Sequence, residues 1–148
     1  MKEKIAIACD HGGYALKEEL KQRFADKYDF IDLGTNSTDS VDYPDYAGKL
    51  ADALQKGDAV RGILICGTGI GISIAANRFP WVRAALCTNV TMARLTRQHN
   101  DANVLALGAR ITGGEAAADI AQTFLETEFE GGRHARRVEK LGAPARTC

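Results

Sequence analysis

With 148 residues, 45% of them hydrophobic and 26% charged, the chain has the size and composition of one soluble globular domain that buries a core without staples. Nineteen basic side chains balance nineteen acidic ones, so no net field draws it to nucleic acid or to an anionic membrane, though a local basic cluster can still hold a small anion. Met1–Asp10 lacks the apolar stretch of a signal peptide and no run approaches membrane-spanning length, so the expected location is the cytoplasm.

Along the chain, short apolar runs alternate with helical periods. Ile5–Cys9 reads as a strand, after which Leu16, Leu20 and Phe24 recur every four residues, as on one helix face. Phe30–Leu33 reads as the next strand. Gly34–Asp45, with its Ser, Thr, Asp and Pro44, reads as a loop. Tyr46, Leu50 and Leu54 repeat the helical spacing, Gly62–Cys66 is a strand, and Ile70–Arg78 a helix. Val82–Cys87, Thr91–Gln98 and Val104–Leu107 follow as strand, helix and strand. Ala117, Ile120, Ala121, Phe124 and Leu125 then mark a strongly periodic helix. Beyond Gly131-Gly132, the basic segment Arg133–Lys140 suits a further helix before a frayed tail.

This alternation predicts an α/β fold: a three-layer α/β/α, Rossmann-like arrangement around a five-stranded parallel sheet, with an extra C-terminal helix. No linker or repeat interrupts it, so residues 1–148 are expected to form a single domain. Such sheets bind ligands beyond the carboxyl ends of their strands. Asp10-His11-Gly12-Gly13, Gly34-Thr35, Cys66 through Gly71, Thr88-Asn89 and Gly108-Ala109-Arg110 are therefore expected to converge on one edge.

Four cysteines raise the question of disulfides or metal, but there is no C-x-x-C and no His/Cys spacing suited to zinc. Cys9 and Cys87, each closing an apolar run, read as reduced, buried small hydrophobes, and Cys148 is the last residue. Cys66 differs because Gly67, Gly69 and Gly71 follow it, with Thr68 and Ile70 between. Three glycines in five residues expose consecutive N–H groups at a helix N-terminus, which form an anion cradle. The spacing fits neither the dinucleotide fingerprint nor a Walker A loop. A thiol there has its thiolate stabilised by the helix dipole, and a thiolate beside such a cradle suits removal of a proton α to a carbonyl.

The remaining candidates are less specific. Asp10 and His11, past the first strand, suit hydroxyl or phosphate binding, but equally a capping Asp beside an exposed His. His99, before the last strand, can exchange a proton near neutral pH. Arg133 and Arg137 share a helix face, either gripping one phosphate or forming a solvated basic surface. Arg110 would add a third positive charge.

Five stretches carry a resemblance: CDHGGYALK at 9–17, DYPDYA at 42–47, GILICGTGIGISIAANR at 62–78, RLTRQHNDANVLALGAR at 94–110 and EGGRHARRVEK at 130–140. Together they resemble the ribose-5-phosphate isomerase type B family, which also holds the galactose-6-phosphate isomerase subunits. The resemblance implies Cys66 as general base, His99 as an acid or the ring-opening group, and Thr68 as an aid to ring opening. It implies that amides of Gly67, Thr68, Gly69, Ile70 and Gly71 stabilise an enediolate. It further assigns Asp10, Tyr43 and Asn100 to hydroxyls, and His11, Arg110, Arg133 and Arg137 to the phosphate. Some members place a glutamate a turn or two after a small residue at the position of Cys66; here that region holds Ala75 and Ala76. Asn36 and Asn89-Val90-Thr91 depart from the family's usual residues, which bears on pocket shape.

The implied activity is aldose–ketose isomerisation of ribose 5-phosphate and ribulose 5-phosphate, with no cofactor and no metal. A hexose 6-phosphate of the allose or galactose type is the alternative substrate. The implied assembly is a homodimer, with a tetramer left open, in which the Cys66 loop of one chain faces the His99–Arg110 segment of the other. Rivals from other classes fit poorly: a flavin- or nucleotide-binding module would need a Ser/Thr-rich loop after the first strand, and a phospho-receiver an acidic cluster with a strand-end lysine.

Overall fold

The computed structural model describes residues 1–143; Cys148 and the expected frayed tail fall outside that range. Five strands, β1 (Glu3–Cys9), β2 (Tyr28–Asp32), β3 (Arg61–Cys66), β4 (Ala84–Leu86) and β5 (Val104–Gly108), pair in the order β2-β1-β3-β5-β4, all parallel. Helices α1 (Tyr14–Arg23), α2 (Tyr43–Lys56), α3 (Ile70–Ala76), α4 (Val90–Asn100) and α5 (Gly114–Glu126) supply the crossovers, and α6 (Arg133–Leu141) closes the described chain. The expected three-layer α/β fold is present.

Alternation along the strands sorts the core into two faces. Ile5, Ile7, Ile63, Ile65, Leu105 and Leu107 point one way, against Leu16, Leu20 and Phe24 of α1 and Ile120 and Phe124 of α5. Ala6, Ala8, Leu64, Cys66 and Ala106 point the other way, against Ala47, Leu50 and Ala51 of α2 and Ile72 and Ala76 of α3. Small residues on both sides let that second helix layer lie close to the sheet. Cys66 is thus aimed toward α2 and α3.

Element ends shift by a residue or two from expectation, and two boundaries have a clear physical cause. The predicted loop 34–45 ends early because α2 starts at Tyr43, where Pro44 sits in the first turn and removes no helical hydrogen bond. The fourth strand is only three residues long, since side chains of neighbouring segments bind its backbone. Asn77 brackets Ala84, donating to its carbonyl and accepting from its N–H at 2.9 and 2.7 Å, while Asn103 Oδ1 accepts from Arg83 N–H at 2.7 Å.

Candidate active site

The strand order reverses direction between β1 and β3, since β2 lies outside β1 and every later strand lies beyond β3. A crevice opens at the carboxyl ends of such a pair. Here those ends deliver Asp10 and Cys66, with Gly108 paired opposite Cys66.

The Cys66 loop is fixed by its own side chains. Cys66 Sγ accepts a hydrogen bond from Gly69 N–H at 3.1 Å, and Thr68 Oγ1 accepts from Ile70 N–H at 3.2 Å. Two of the five amides expected in the cradle are therefore already occupied. Among the described residues, the N–H groups of Gly67, Thr68 and Gly71 donate to no protein acceptor. The amide aimed at sulfur stabilises negative charge there. Gly69 turns the chain at φ +78, and a Cβ on it would lie 2.6 Å from Leu86 Cδ1. A Cβ on Gly71 would lie 2.6 Å from the Tyr43 ring, so bare glycine lets that phenol cover the first turn of α3.

Flanking residues crowd this loop: a Cβ on Gly12 would lie 3.3 Å from Gly67 N. Asp10 is buried and one of its oxygens accepts from Gly12 N–H at 2.9 Å, which is the capping alternative. His11 Nδ1 accepts from Val41 N–H at 3.1 Å, so the neutral ring carries its proton on Nε2, free to meet a ligand. Arg110 donates its N–H to Gly67 O at 2.8 Å, and its guanidinium carbon lies 3.5 Å from where a Gly67 Cβ would stand. Ala75 and Ala76 of α3 offer no carboxylate beside Cys66.

Beneath this edge lies a buried ion pair that sequence reading missed. Lys17 is fully buried, and its ammonium donates to both Asp32 oxygens at 2.7 Å and to Asn36 Oδ1 at 3.3 Å. Lys21 Nζ and Gly34 N–H complete the carboxylate's partners at 2.7 and 2.9 Å. Burial opposes ionisation of Asp32, but hydrogen bonds from Lys17, Lys21 and Gly34 outweigh it and hold the carboxyl below its ordinary range. The loop so anchored extends β1: Cys9 N–H donates to Gly34 O at 2.7 Å and Thr35 N–H to Cys9 O at 2.9 Å. On amphipathic α1 a lysine reads as surface, so only the spacing Asp32–Gly34–Asn36 hinted at the pair.

His99 and Asn100, expected to face the Cys66 loop of a second chain, lie away from this edge in their own. They end α4, which runs back from the carboxyl end of β4 to the amino end of β5. A five-residue strand spans roughly 16 Å, so in one chain His99 is a sheet-height away from Cys66. The segment 99–110 is not one wall: His99 stands at one edge and Arg110 at the other, beside the Cys66 loop of its own chain.

At the second edge α6 packs on α4. The His99 and His134 rings stack at 4.4 Å with planes 15° apart, and their Nε2 atoms lie 3.8 and 3.7 Å from Glu130 Oε1. Burial, with the nearby His99 and Arg133 charges, pushes His134 below the ordinary imidazole range. Arg133 and Arg137 lie one turn apart on α6 and are exposed, as a phosphate grip requires. A groove of about 510 Å³ beside β4 is lined by Asn77, Arg83, Thr96, Asn100 and Leu141, and by none of the Cys66 loop.

The expectation that no residues group as metal ligands needs correction. His99, Glu130 and His134 offer ligand atoms within 4.8 Å of one another, a cluster that arises across 35 residues of sequence and so escapes spacing rules. Near-parallel rings direct their lone pairs side by side, not at one point, so the imidazoles would have to rotate before both could bind one ion.

A family model described as Ribose/Galactose Isomerase matches residues 5–141. Ribose-5-phosphate isomerase B of Escherichia coli (strain K12) is 49% identical over 142 residues, covering 95% of each chain. Among solved structures, ribose-5-phosphate isomerase B of Clostridium thermocellum superposes with a TM-score of 0.92 at 56% identity, covering 94% of this chain and 95% of its own. The protein of that name from Thermotoga maritima does so with 0.93 at 51% identity, covering 96% and 99%.

Proposed function

The chain belongs to the ribose/galactose isomerase family, and from that premise we propose that it interconverts ribose 5-phosphate and ribulose 5-phosphate through an enediolate, with Cys66 as the general base. The observation that carries this reading is a strand-end thiol 3.1 Å from one amide, beside three uncommitted N–H groups. The Cys66 thiolate removes the C2 proton of the open-chain aldose. The C2–H electrons form the C1=C2 bond, and negative charge develops on O1, where the Gly67, Thr68 and Gly71 amides meet it. Return of the proton to C1, with transfer of a proton from O2 to O1, leaves the ketose. No electrons are gained or lost, so the chemistry calls on no redox cofactor. Asp10 and Tyr43 hold hydroxyls in this scheme, and Nε2–H of His11 and the Arg110 guanidinium face the phosphate. Sugar phosphates are charged and do not cross membranes unaided, which supports a cytoplasmic location; no helix among the described residues is long and apolar enough to span one.

The remaining groups come from a second copy. His99 opens the sugar ring, Asn100 holds a hydroxyl, and Arg133 and Arg137 bind the phosphate, all supplied across a two-fold axis. The roughly 16 Å between the edges supports this, because one pentose cannot touch both within a chain. Exposed apolar residues beside the Cys66 loop, Ile70 and Ile74 on α3 and Val90 and Met92 on α4, suit a surface covered by the partner. A two-fold dimer makes two equivalent composite sites.

Two measurements test this function. The specificity constant for ribose 5-phosphate should exceed those for allose 6-phosphate and galactose 6-phosphate, and the reverse order would overturn the substrate assignment. Subunits carrying Cys66→Ala should then be mixed with subunits carrying His99→Asn after mild dissociation. Half the dimers become hybrids with one intact site each, so about a quarter of wild-type activity returns from two nearly inactive parents. Parental activity in verified hybrids would place both residues in one site of one chain.

A further inference from the structure

His99 sits on the last turn of α4, and its side chain makes no hydrogen bond within the described residues that would hold the ring. A half-exposed imidazole with two free torsions samples several orientations, most of them useless for delivering a proton to one ring oxygen. Two neighbours restrict it. The His134 ring lies parallel at 4.4 Å and limits rotation about χ2. The Glu130 carboxylate, 3.8 Å from Nε2, selects the direction in which that nitrogen points. Both neighbours are themselves anchored. Glu130 N–H donates to Gln98 O at 3.1 Å, tying it to the turn that carries His99, and His134 N–H donates to Gly131 O at 3.1 Å. Gly131 and Gly132, at φ +68 and +56, make the tight turn that brings Glu130 and His134 onto the same imidazole.

We infer that His134 and Glu130 are positioning residues for His99: the stacked ring sets its plane and the carboxylate sets the direction of its Nε2 during ring opening. The inference rests on His99 being the ring-opening group of the proposed shared site. The charges are consistent with it. Burial and the nearby charges lower the His134 pKa, which favours a flat, stackable ring over a competing charge beside His99.

The test compares His134→Ala, His134→Phe and Glu130→Gln in the full dimer, with His99→Asn as reference. Losing the stacked ring in His134→Ala should lower kcat for ribose 5-phosphate by roughly 10- to 100-fold and leave KM within about twofold. His134→Phe retains a flat ring and should recover most of that loss, whereas Glu130→Gln should lower kcat by about tenfold. In the His99→Asn background, His134→Ala should have no further effect on kcat, because there is nothing left to position. A KM increase without a kcat loss would overturn the inference and make His134 a substrate ligand. Equal kcat losses in the Ala and Phe variants would overturn it as well, and His134→Phe keeps the test informative should His134→Ala fold poorly. Near-wild-type turnover in His99→Asn would sink the ring-opening assignment itself, whereas an inactive His99→Asn beside a normal His134→Ala sinks this inference alone.

Discussion

The two edges of the sheet are built from different materials. At the Cys66 edge the groups that matter are backbone amides, a buried thiol and a buried carboxylate, each set by a strand end and a close-packed glycine. At the His99 edge they are side chains at the end of α4, in the turn before α6 and on α6 itself: two imidazoles, a half-exposed carboxylate and two arginines. The first edge is pre-organised in one chain, as stabilisation of a developing oxyanion demands. The second is more exposed: Glu130 and both arginines face solvent, and His99 is held by its neighbours alone. Under the proposed function, proton abstraction belongs to the rigid edge, and ring opening with part of the phosphate grip to the adaptable one.

The sharpest way to break that division is at Cys66. Cys66→Ala should lower kcat by about 10²- to 10⁴-fold, the usual contribution of a general base, while the inhibition constant for a sugar-phosphate analogue changes little. Cys9→Ala and Cys87→Ala should leave steady-state turnover near wild type, since both thiols are buried within the core. Near-normal turnover in Cys66→Ala would remove the base from the rigid edge.

Next in size is the foundation under that edge. Lys17→Met keeps the volume of the buried stem but removes one partner of Asp32, and breaking a buried pair costs about 3 kcal/mol. Urea unfolding should show the loss. Glu130→Gln on the opposite edge should change stability by less than about 1 kcal/mol, because its ion pairs are solvent-exposed. Comparable losses would mean that the two edges are equally rigid.

Much of the Cys66 edge was legible in the sequence because its rules are local. A strand followed by Cys-Gly-Thr-Gly-Ile-Gly forces a tight turn into a helix N-terminus wherever it occurs. The layer order followed from alternating periods in the same way. The cluster of His99, Glu130 and His134 was not legible, since it depends on α6 folding back onto α4. Lys17 was hidden for another reason: its partner lies 15 residues away, on a strand whose own polar residue looked solvent-facing. The separation of His99 from Arg110 was recoverable in principle, because residues before and after a parallel strand must lie at opposite edges.

The adaptable edge yields a smaller effect, visible in binding. Arg133→Ala or Arg137→Ala should raise KM for ribose 5-phosphate by about tenfold, equivalent to about 1.4 kcal/mol, with a much smaller effect on an unphosphorylated sugar. The motivation is their one-turn spacing on the exposed face of α6. Equal effects on both kinds of substrate would make the pair a solvated face, and the comparison of edges would lose its phosphate side.

A last comparison separates the thiols by environment. Burial pushes Cys9 up to about 11 from the 9.0 of a free thiol, with Lys17 pulling weakly the other way, and burial alone does the same to Cys87. Between those two values the unfolded chain has released both protons while the folded chain still holds them. Folding therefore takes up protons in this window, and stability falls as pH rises through it. Below pH 9.0 the contribution is fully present. Each thiol accounts for up to about 1.4 kcal/mol per pH unit. Urea midpoints between pH 8 and 10.5 should decline more steeply for the wild type than for a Cys9→Ala/Cys87→Ala variant, a comparison in which the lysines and tyrosines common to both proteins cancel. Parallel declines would show that these thiols ionise as freely in the fold as outside it, and the contrast between two inert core cysteines and the one at the strand end would disappear.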